Sequence, residues 1–432
     1  MSVRRRVVQG IGANGFGQVI TLLTQIVSVP IFIAAWGLDL YGEWLVVSAI
    51  PTYLALSDIG LTATAGNLMA ILGEKRDVKQ MLSVYQSTWV MVSILSLAIL
   101  ALFWIFTWFI DTSEFLGLAR ITGTMLNITL LLLFIYVVLS LQTGILQLPF
   151  RVTKENPLSV TIVNSIRLLE WFMATIVVVV GWTVAAVACA FVLTRTLGNI
   201  YLFWVLRNRK ELALRLGIQH ANLQVLKKIL QPSIASMCFP IGLSLTLQGF
   251  IILIGHVVGS SGVALFNIYR TLTRVPIQAV TSINQAVWPE ISYAYGADDL
   301  KKTYRLVVRM LQLGIALGIA ATGVIFAAGE NIINIWITQP LEHNSALLIA
   351  LALTAFIHIF WQPFWVAQVA INKHSFFAIV FLSISALSLF LGWLGLGKFS
   401  LQGAGYALLL TECIMAIAAF VTFRRYFRPI PK

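Results

Sequence analysis

Four arginines lie inside long apolar runs of the chain: Arg167, Arg195, Arg270 and Arg274. A guanidinium stays charged at any ordinary pH and grips phosphates or carboxylates through paired N–H donors. Each one placed at the centre of a membrane-spanning helix costs about 2.5–3.5 kcal/mol on the insertion scale, so such a residue must face water or an anionic partner. Arg270 and Arg274 are one turn apart and have no acid three or four residues away on their own run. At 100° per residue they share a strip with Asn267, Gln278, Thr281 and Gln285. A second polar strip, Asn14, Gln18, Thr21, Gln25 and Ser28, falls within about 80° of arc on the first apolar run. Arg167 precedes Glu170 by three residues, the spacing of a local ion pair, and Arg195 shares a face with Asn199. The acids at this depth, Asp58, Glu170 and Glu412, are the candidates for binding a coupling ion; Glu412, isolated near the middle of its run, reads equally as a partner for one of the arginines. His358 reads as a packed, hydrogen-bonded histidine. Arginines in excess of acids suit an anionic solute; amides and the flat faces of Trp171, Trp361 and Trp365 suit sugars.

These side chains need elements that hold them at membrane depth. Of the 432 residues, 59% are hydrophobic and 10% charged, against roughly 25% charged in a soluble domain, so the chain is an integral membrane protein. Cutting the apolar stretches where charges or Gly/Pro/Asn clusters interrupt them predicts twelve spans, near 12–36, 43–71, 82–110, 121–146, 157–180, 183–206, 232–258, 262–290, 304–328, 344–371, 375–396 and 402–423. All 29 Lys and Arg except Arg120, Lys398 and the four membrane arginines fall on one side of that arrangement. The positive-inside rule therefore puts both termini in the cytoplasm.

The polar connection at about 207–231 divides the chain into lobes 1–222 and 223–432, each of six helices. A shift of about 223 residues superposes Thr21 on Ser244, Gln25 on Gln248 and Gly73 on Gly296. Six is an even number, so the repeats run parallel, a known transporter architecture. The expected fold is all-α with twelve transmembrane helices in two six-helix lobes, the helices broken at Pro51, Pro240 and Pro276.

Several chemistries are excluded. Gly10-Ile11-Gly12-Ala13-Asn14-Gly15 spells a dinucleotide-binding turn, but no strand precedes it and a membrane span follows, so it reads as close helix packing. Cys189, Cys238 and Cys413 each stand alone in apolar runs, which leaves no disulfide framework and no metal site. The net charge of +13 follows topology, so nucleic-acid binding is unsupported. No nucleophile or metal-hydrolase motif occurs, and neither an enzyme site nor a cofactor is expected.

The stretches Gly37-Leu38-Asp39-Leu40-Tyr41-Gly42-Glu43-Trp44, Leu56-Ser57-Asp58-Ile59-Gly60-Leu61 and Pro289-Glu290-Ile291-Ser292 resemble the Wzx-type O-antigen and polysaccharide flippases of the multidrug/oligosaccharidyl-lipid/polysaccharide (MOP) exporter superfamily. That resemblance implies two six-helix lobes around a central cavity that opens alternately to either side of a bacterial inner membrane. The implied substrate is an oligosaccharide on undecaprenyl diphosphate, flipped from the cytoplasmic to the periplasmic leaflet with a proton or sodium gradient as the drive. A polysaccharide polymerase and a chain-length regulator are the implied protein partners. Arg167, Arg195, Arg270 and Arg274, with Gln278, Asn14, Gln18, Gln25 and Asn267, would line the cavity, and Asp58, Glu412 and Glu170 would serve ion coupling.

Two other functions compete with this one. A multidrug and toxin extrusion antiporter shares the fold but exports organic cations, which the arginines would repel. A membrane glycosyl polymerase or ligase would need a large periplasmic loop, whereas the longest here, about 329–343, offers only Glu330, Glu342 and His343 as titratable groups.

Overall fold

The computed structural model describes residues 3–56, 59–74, 77–109, 111–153, 155–208, 216–337, 339, 341–371, 373 and 375–426. Among them the chain is helical: α1 (Val3–Leu56), α2 (Ile59–Glu74), α3 (Val78–Phe109), α4 (Thr112–Leu116), α5 (Gly123–Val152), α6 (Asn156–Val179), α7 (Val184–Arg207), α8 (Leu223–Ser244), α9 (Phe250–Val257), α10 (Ser260–Gly296), α11 (Leu300–Trp336), α12 (Ser345–Ala370), α13 (Ser375–Phe399) and α14 (Leu401–Tyr426). A π-helical turn, Leu245–Gly249, joins α8 to α9.

Ten stretches among the described residues are long and apolar enough to cross a membrane, which makes this a multi-pass membrane protein. Two of the twelve expected spans are not among the ten, for different reasons. Residues 57 and 58 of the 43–71 segment lie outside the described residues, on either side of which run the end of α1 and the 16-residue α2. The 262–290 segment is continuous helix within α10, but its arginines and amides lower its hydropathy. The prolines do not end helices as expected: α1 continues past Pro51, α8 past Pro240 and α10 past Pro276. The breaks fall instead at Gly37, whose φ of 74° and ψ of 173° are not helical and divide α1 into two helices between the first and second expected spans, and at the π-turn.

Two compact units result, Met1–Thr24 with Glu43–Pro240 and Gln25–Gly42 with Ile241–Lys432. The division expected at 222/223 differs from this at two places. Most of α8, as far as Pro240, belongs with the first unit, and residues 25–42 of the first helix belong with the second. That exchange has local causes. The Trp336 indole N–H donates to the Ile26 carbonyl (2.8 Å) and the Gln339 amide to the Ile33 carbonyl (3.0 Å). Gly37 supplies the backbone geometry that L-residues resist. At Gly42 an added Cβ would lie 1.8 Å from the Ser260 carbonyl oxygen, so only glycine permits this approach to the start of α10.

In the first unit α7 lies between α5 and α6, while α2 and α3 pack on α5. Leu146, Phe150, Ile162, Ile166, Leu202 and Leu206 form a buried cluster there. The second unit is organised on α12, which packs against α10, α11 and α14, with α13 closing on α14. Trp361 is the largest of its fully buried side chains among the described residues.

The chain re-enters the first unit at Glu43, which is 1% exposed. The Glu43 carboxylate accepts the backbone N–H groups of Ala119 (3.0 Å), Arg120 (2.9 Å) and Ile121 (2.7 Å). It thereby holds the turn between α4 and α5. A carboxylate facing three amide donors is a charge-assisted arrangement. Glu43→Gln removes the charge and sets an NH2 group against these donors. We expect this variant to lose about 2–3 kcal/mol, read as a lower thermal midpoint in detergent and faster proteolysis at residues 117–122.

Candidate functional site

Each unit carries its own buried polar constellation. In the first, α6 supplies Glu170, α7 supplies Arg195 and α5 supplies Tyr136. Arg195 Nε donates to Glu170 Oε1 at 2.6 Å and Nη2 to Glu170 Oε2 at 2.8 Å, a bidentate pair. Tyr136 closes the triangle, donating to Glu170 Oε2 (3.1 Å) and accepting from Arg195 Nη2 (2.8 Å). Both charged residues are buried. One turn along α7, the Asn199 amide donates to the Leu139 carbonyl (2.9 Å) and its oxygen accepts from Thr143 (2.7 Å).

Glu170 thus takes its salt bridge from the neighbouring helix rather than from Arg167, three residues away. Arg167 is exposed, and its guanidinium donates only weakly, at 3.4 Å, to Thr21 Oγ1. Asn14 is exposed and Gln18 half-buried on the same stretch of α1. Beside them the Asn164 amide donates to the Ala13 carbonyl (3.1 Å).

In the second unit α10 brings Asn267, Arg270, Arg274 and Gln278 onto one face, as its period requires. The two arginines differ in their surroundings. Arg270 is held on every side. Its Nη1 donates to the Leu247 carbonyl at 2.6 Å, its Nη2 to Asn267 Oδ1 at 3.0 Å, and its guanidinium lies 5.2 Å from the centre of the Phe266 ring. Asn267 in turn donates to the Tyr41 hydroxyl at 3.0 Å. Leu247 sits in the π-turn, so Arg270 fastens α10 to that widened turn.

Arg274, in contrast, has no hydrogen-bond partner among the described residues. The carboxylate whose charge acts on it is Glu412 of α14. Glu412 is itself engaged by α12, with His358 Nδ1 at 3.1 Å from Oε1 and the Trp361 indole N–H donating to Oε2 at 2.5 Å. Further along α10, Gln278 donates to Gln25, Gln362 donates to Thr281 (2.7 Å), and Asn284 donates to Gln362 Oε1 (2.9 Å). The Gln278 Oε1 and Asn284 Oδ1 oxygens are buried without a partner among the described residues.

The opposite face of α10, centred nearly half a turn from the arginines, borders an apolar cleft of about 890 Å3. Leu272, Val275 and Pro276 of α10 form one wall, Val324 and Trp336 of α11 the other, and Ile26 of α1 one edge.

Of the residues singled out by sequence, Gln25, Asn267, Arg270, Arg274, Gln278 and Glu412 belong to the second unit. Asn14, Gln18, Arg167, Glu170 and Arg195 belong to the first. Asp58 lies outside the described residues. Sequence reasoning missed Tyr136 and Glu43. It placed His358 in a packed, hydrogen-bonded role without its carboxylate. Buried partners brought from other helices leave no spacing signal.

The arrangement of helices is that of the MOP superfamily transporters. The inward-facing form of a multidrug resistance MATE family transporter of that superfamily superposes with a TM-score of 0.74, covering 94% of both chains at 14% identity. An outward-facing form of such a transporter gives 0.67 over 99% of this chain and 96% of that one, also at 14% identity. A MOP superfamily transporter from Pyrococcus furiosus, described as having a binding pocket of reverse polarity that suggests a different function, gives 0.62 over 98% of this chain and 95% of that one, at 14% identity. No match was found among curated protein sequences. The family model described as "Polysaccharide biosynthesis protein" matches residues 54–346. The chain belongs to the polysaccharide biosynthesis protein family and has the MATE-like transporter fold.

Proposed function

We propose that this protein is a flippase for lipid-linked oligosaccharides. It moves a sugar repeat unit on undecaprenyl diphosphate from the cytoplasmic to the periplasmic leaflet of a bacterial inner membrane, by alternating access driven by an ion gradient. The observation that carries this reading is α10, a single helix at membrane depth that offers three chemistries at once. Arg274 presents a cation with no hydrogen-bond partner among the described residues, suited to a diphosphate. Gln278 and Asn284 carry buried carbonyl oxygens without a partner among the described residues, acceptors of the kind to which a sugar hydroxyl donates. The adjoining cleft is apolar, as a prenyl chain requires, and its volume is typical of a small-molecule site.

Membership of a polysaccharide biosynthesis family supports a saccharide cargo over a drug. An arginine-bearing face also disfavours organic cations. A polymerase and a chain-length regulator of the same polysaccharide are the protein partners this role implies, and no catalytic step is assigned to the chain. Deleting the coding sequence from its host should abolish the surface polysaccharide and leave lipid-linked repeat units facing the cytoplasm. Full-length polysaccharide in the deletion strain, with drug sensitivity increased instead, would replace this reading with the antiporter one.

A further inference from the structure

We propose that Glu412 and His358 form a proton-binding pair that cannot hold sodium, and that this pair is the ion-coupling site. The proposal rests on the transport reading above and assigns its ion. Of the two described acids expected to serve ion coupling, Glu170 and Glu412, Glu412 is the one that no arginine grips. Glu170 is gripped through both oxygens by Arg195, whose guanidinium never deprotonates at ordinary pH; protonating Glu170 would leave that arginine buried and uncompensated.

Glu412 is held differently. Its Oε1 faces an imidazole nitrogen and its Oε2 an indole N–H. A sodium ion needs several oxygen atoms converging on one point. Here the carboxylate's neighbours are a donor with no lone pair to offer, Trp361, and a ring nitrogen.

A proton needs only one lone pair, and the pair offers two places for it, the second imidazole nitrogen or the carboxyl oxygen. With the imidazole neutral, Nδ1–H donates to the carboxylate and the pair carries one negative charge. With one proton more it carries none. Side-chain exposures of 18% for His358 and 16% for Glu412 leave a path for the proton to enter. Stacked edge-on, 4.7 Å from the His358 ring, Trp361 fixes the imidazole's orientation.

The charged and titratable groups around the pair are few. Arg274 faces it from α10. From α13 come Phe377 and Phe381, packed on Trp361, while Lys398 stands about three turns from the level of Glu412. His256 is exposed at the far end of α9. Protonation therefore removes the counter-charge of Arg274, which ties the ion to the cation we assign to the cargo.

The test uses the purified full-length protein and needs no cargo. Indole emission reports on the pair because Trp361 is bonded to Glu412. Wild-type emission should change with pH and should not move on raising NaCl from zero at constant ionic strength. Glu412→Gln and His358→Gln keep hydrogen-bonding groups at both positions and should each abolish the titration while melting like the wild type. A sodium-dependent emission change lost in Glu412→Gln would overturn the proposal, as would a titration that survives in both variants. If the titration behaves as stated but no lipid-linked sugar is flipped, the proton site stands and the cargo assignment falls.

Discussion

Arg274→Ala protein is expected to reach the membrane at the wild-type level and to export polysaccharide at least tenfold more slowly. The guanidinium makes no hydrogen bond among the described residues, so its removal breaks no internal bond. What is lost is a charge-assisted contact to a diphosphate, about 1.5–3 kcal/mol, or roughly 10–100-fold in rate or affinity, together with the cation that faces Glu412. Arg274→Lys should recover part of the loss, because an ammonium keeps the charge but not the paired donors. Arg270→Ala should behave differently. It strips the Leu247 carbonyl and Asn267 of their donor and loosens the π-turn, so its export defect should come with a lower melting point. Wild-type polysaccharide levels in both variants, measured on a silver-stained gel of surface glycan, would remove the arginines from the mechanism.

Arg195→Ala should have the largest effect on stability. It leaves Glu170 buried with only Tyr136 as a partner, and breaking a buried pair from one side costs about 3–5 kcal/mol. That is comparable with the whole stability of many domains, so the variant should be degraded or aggregate on extraction. The second change that tests the cause is Glu170→Gln in the same chain. Removing the stranded charge should restore much of the protein recovered by size-exclusion chromatography, and with it polysaccharide export. Recovery of folding without export would instead show that Arg195 contacts cargo. An Arg195→Ala protein that is stable alone would contradict the structural role drawn from the 2.6 Å and 2.8 Å contacts.

The contrast between these two arginines shows how far the sequence could be read. Helical period alone put Asn267, Arg270, Arg274 and Gln278 on one strip, and α10 carries them so. The apolar runs located the helices for the same reason: a bilayer forces every backbone group into helix and every lipid face into hydrocarbon. Period is a property of a single helix, however, and ion pairs across helices have none. Glu170 looked nearest to Arg167 along the chain, yet α7 brings Arg195 closer in space. Glu412 looked isolated because both its partners come from α12. Glu43 stood within a motif that resembled the flippases but gave no sign that its carboxylate clamps three backbone amides. Proline was also a poor guide: the helices continue past Pro240 and Pro276. The π-turn begins five residues after Pro240, with no residue type in Leu245–Gly249 to announce it.

The most direct measurement of the central claim is flipping in proteoliposomes. Purified protein is reconstituted with a fluorescent oligosaccharide on a prenyl diphosphate, and the fraction reachable by a membrane-impermeant sugar oxidant is followed after a proton gradient is imposed. The account predicts protein-dependent translocation that slows at least tenfold in Arg274→Ala. Translocation no faster than in protein-free vesicles, or equal rates for wild type and Arg274→Ala, would contradict it.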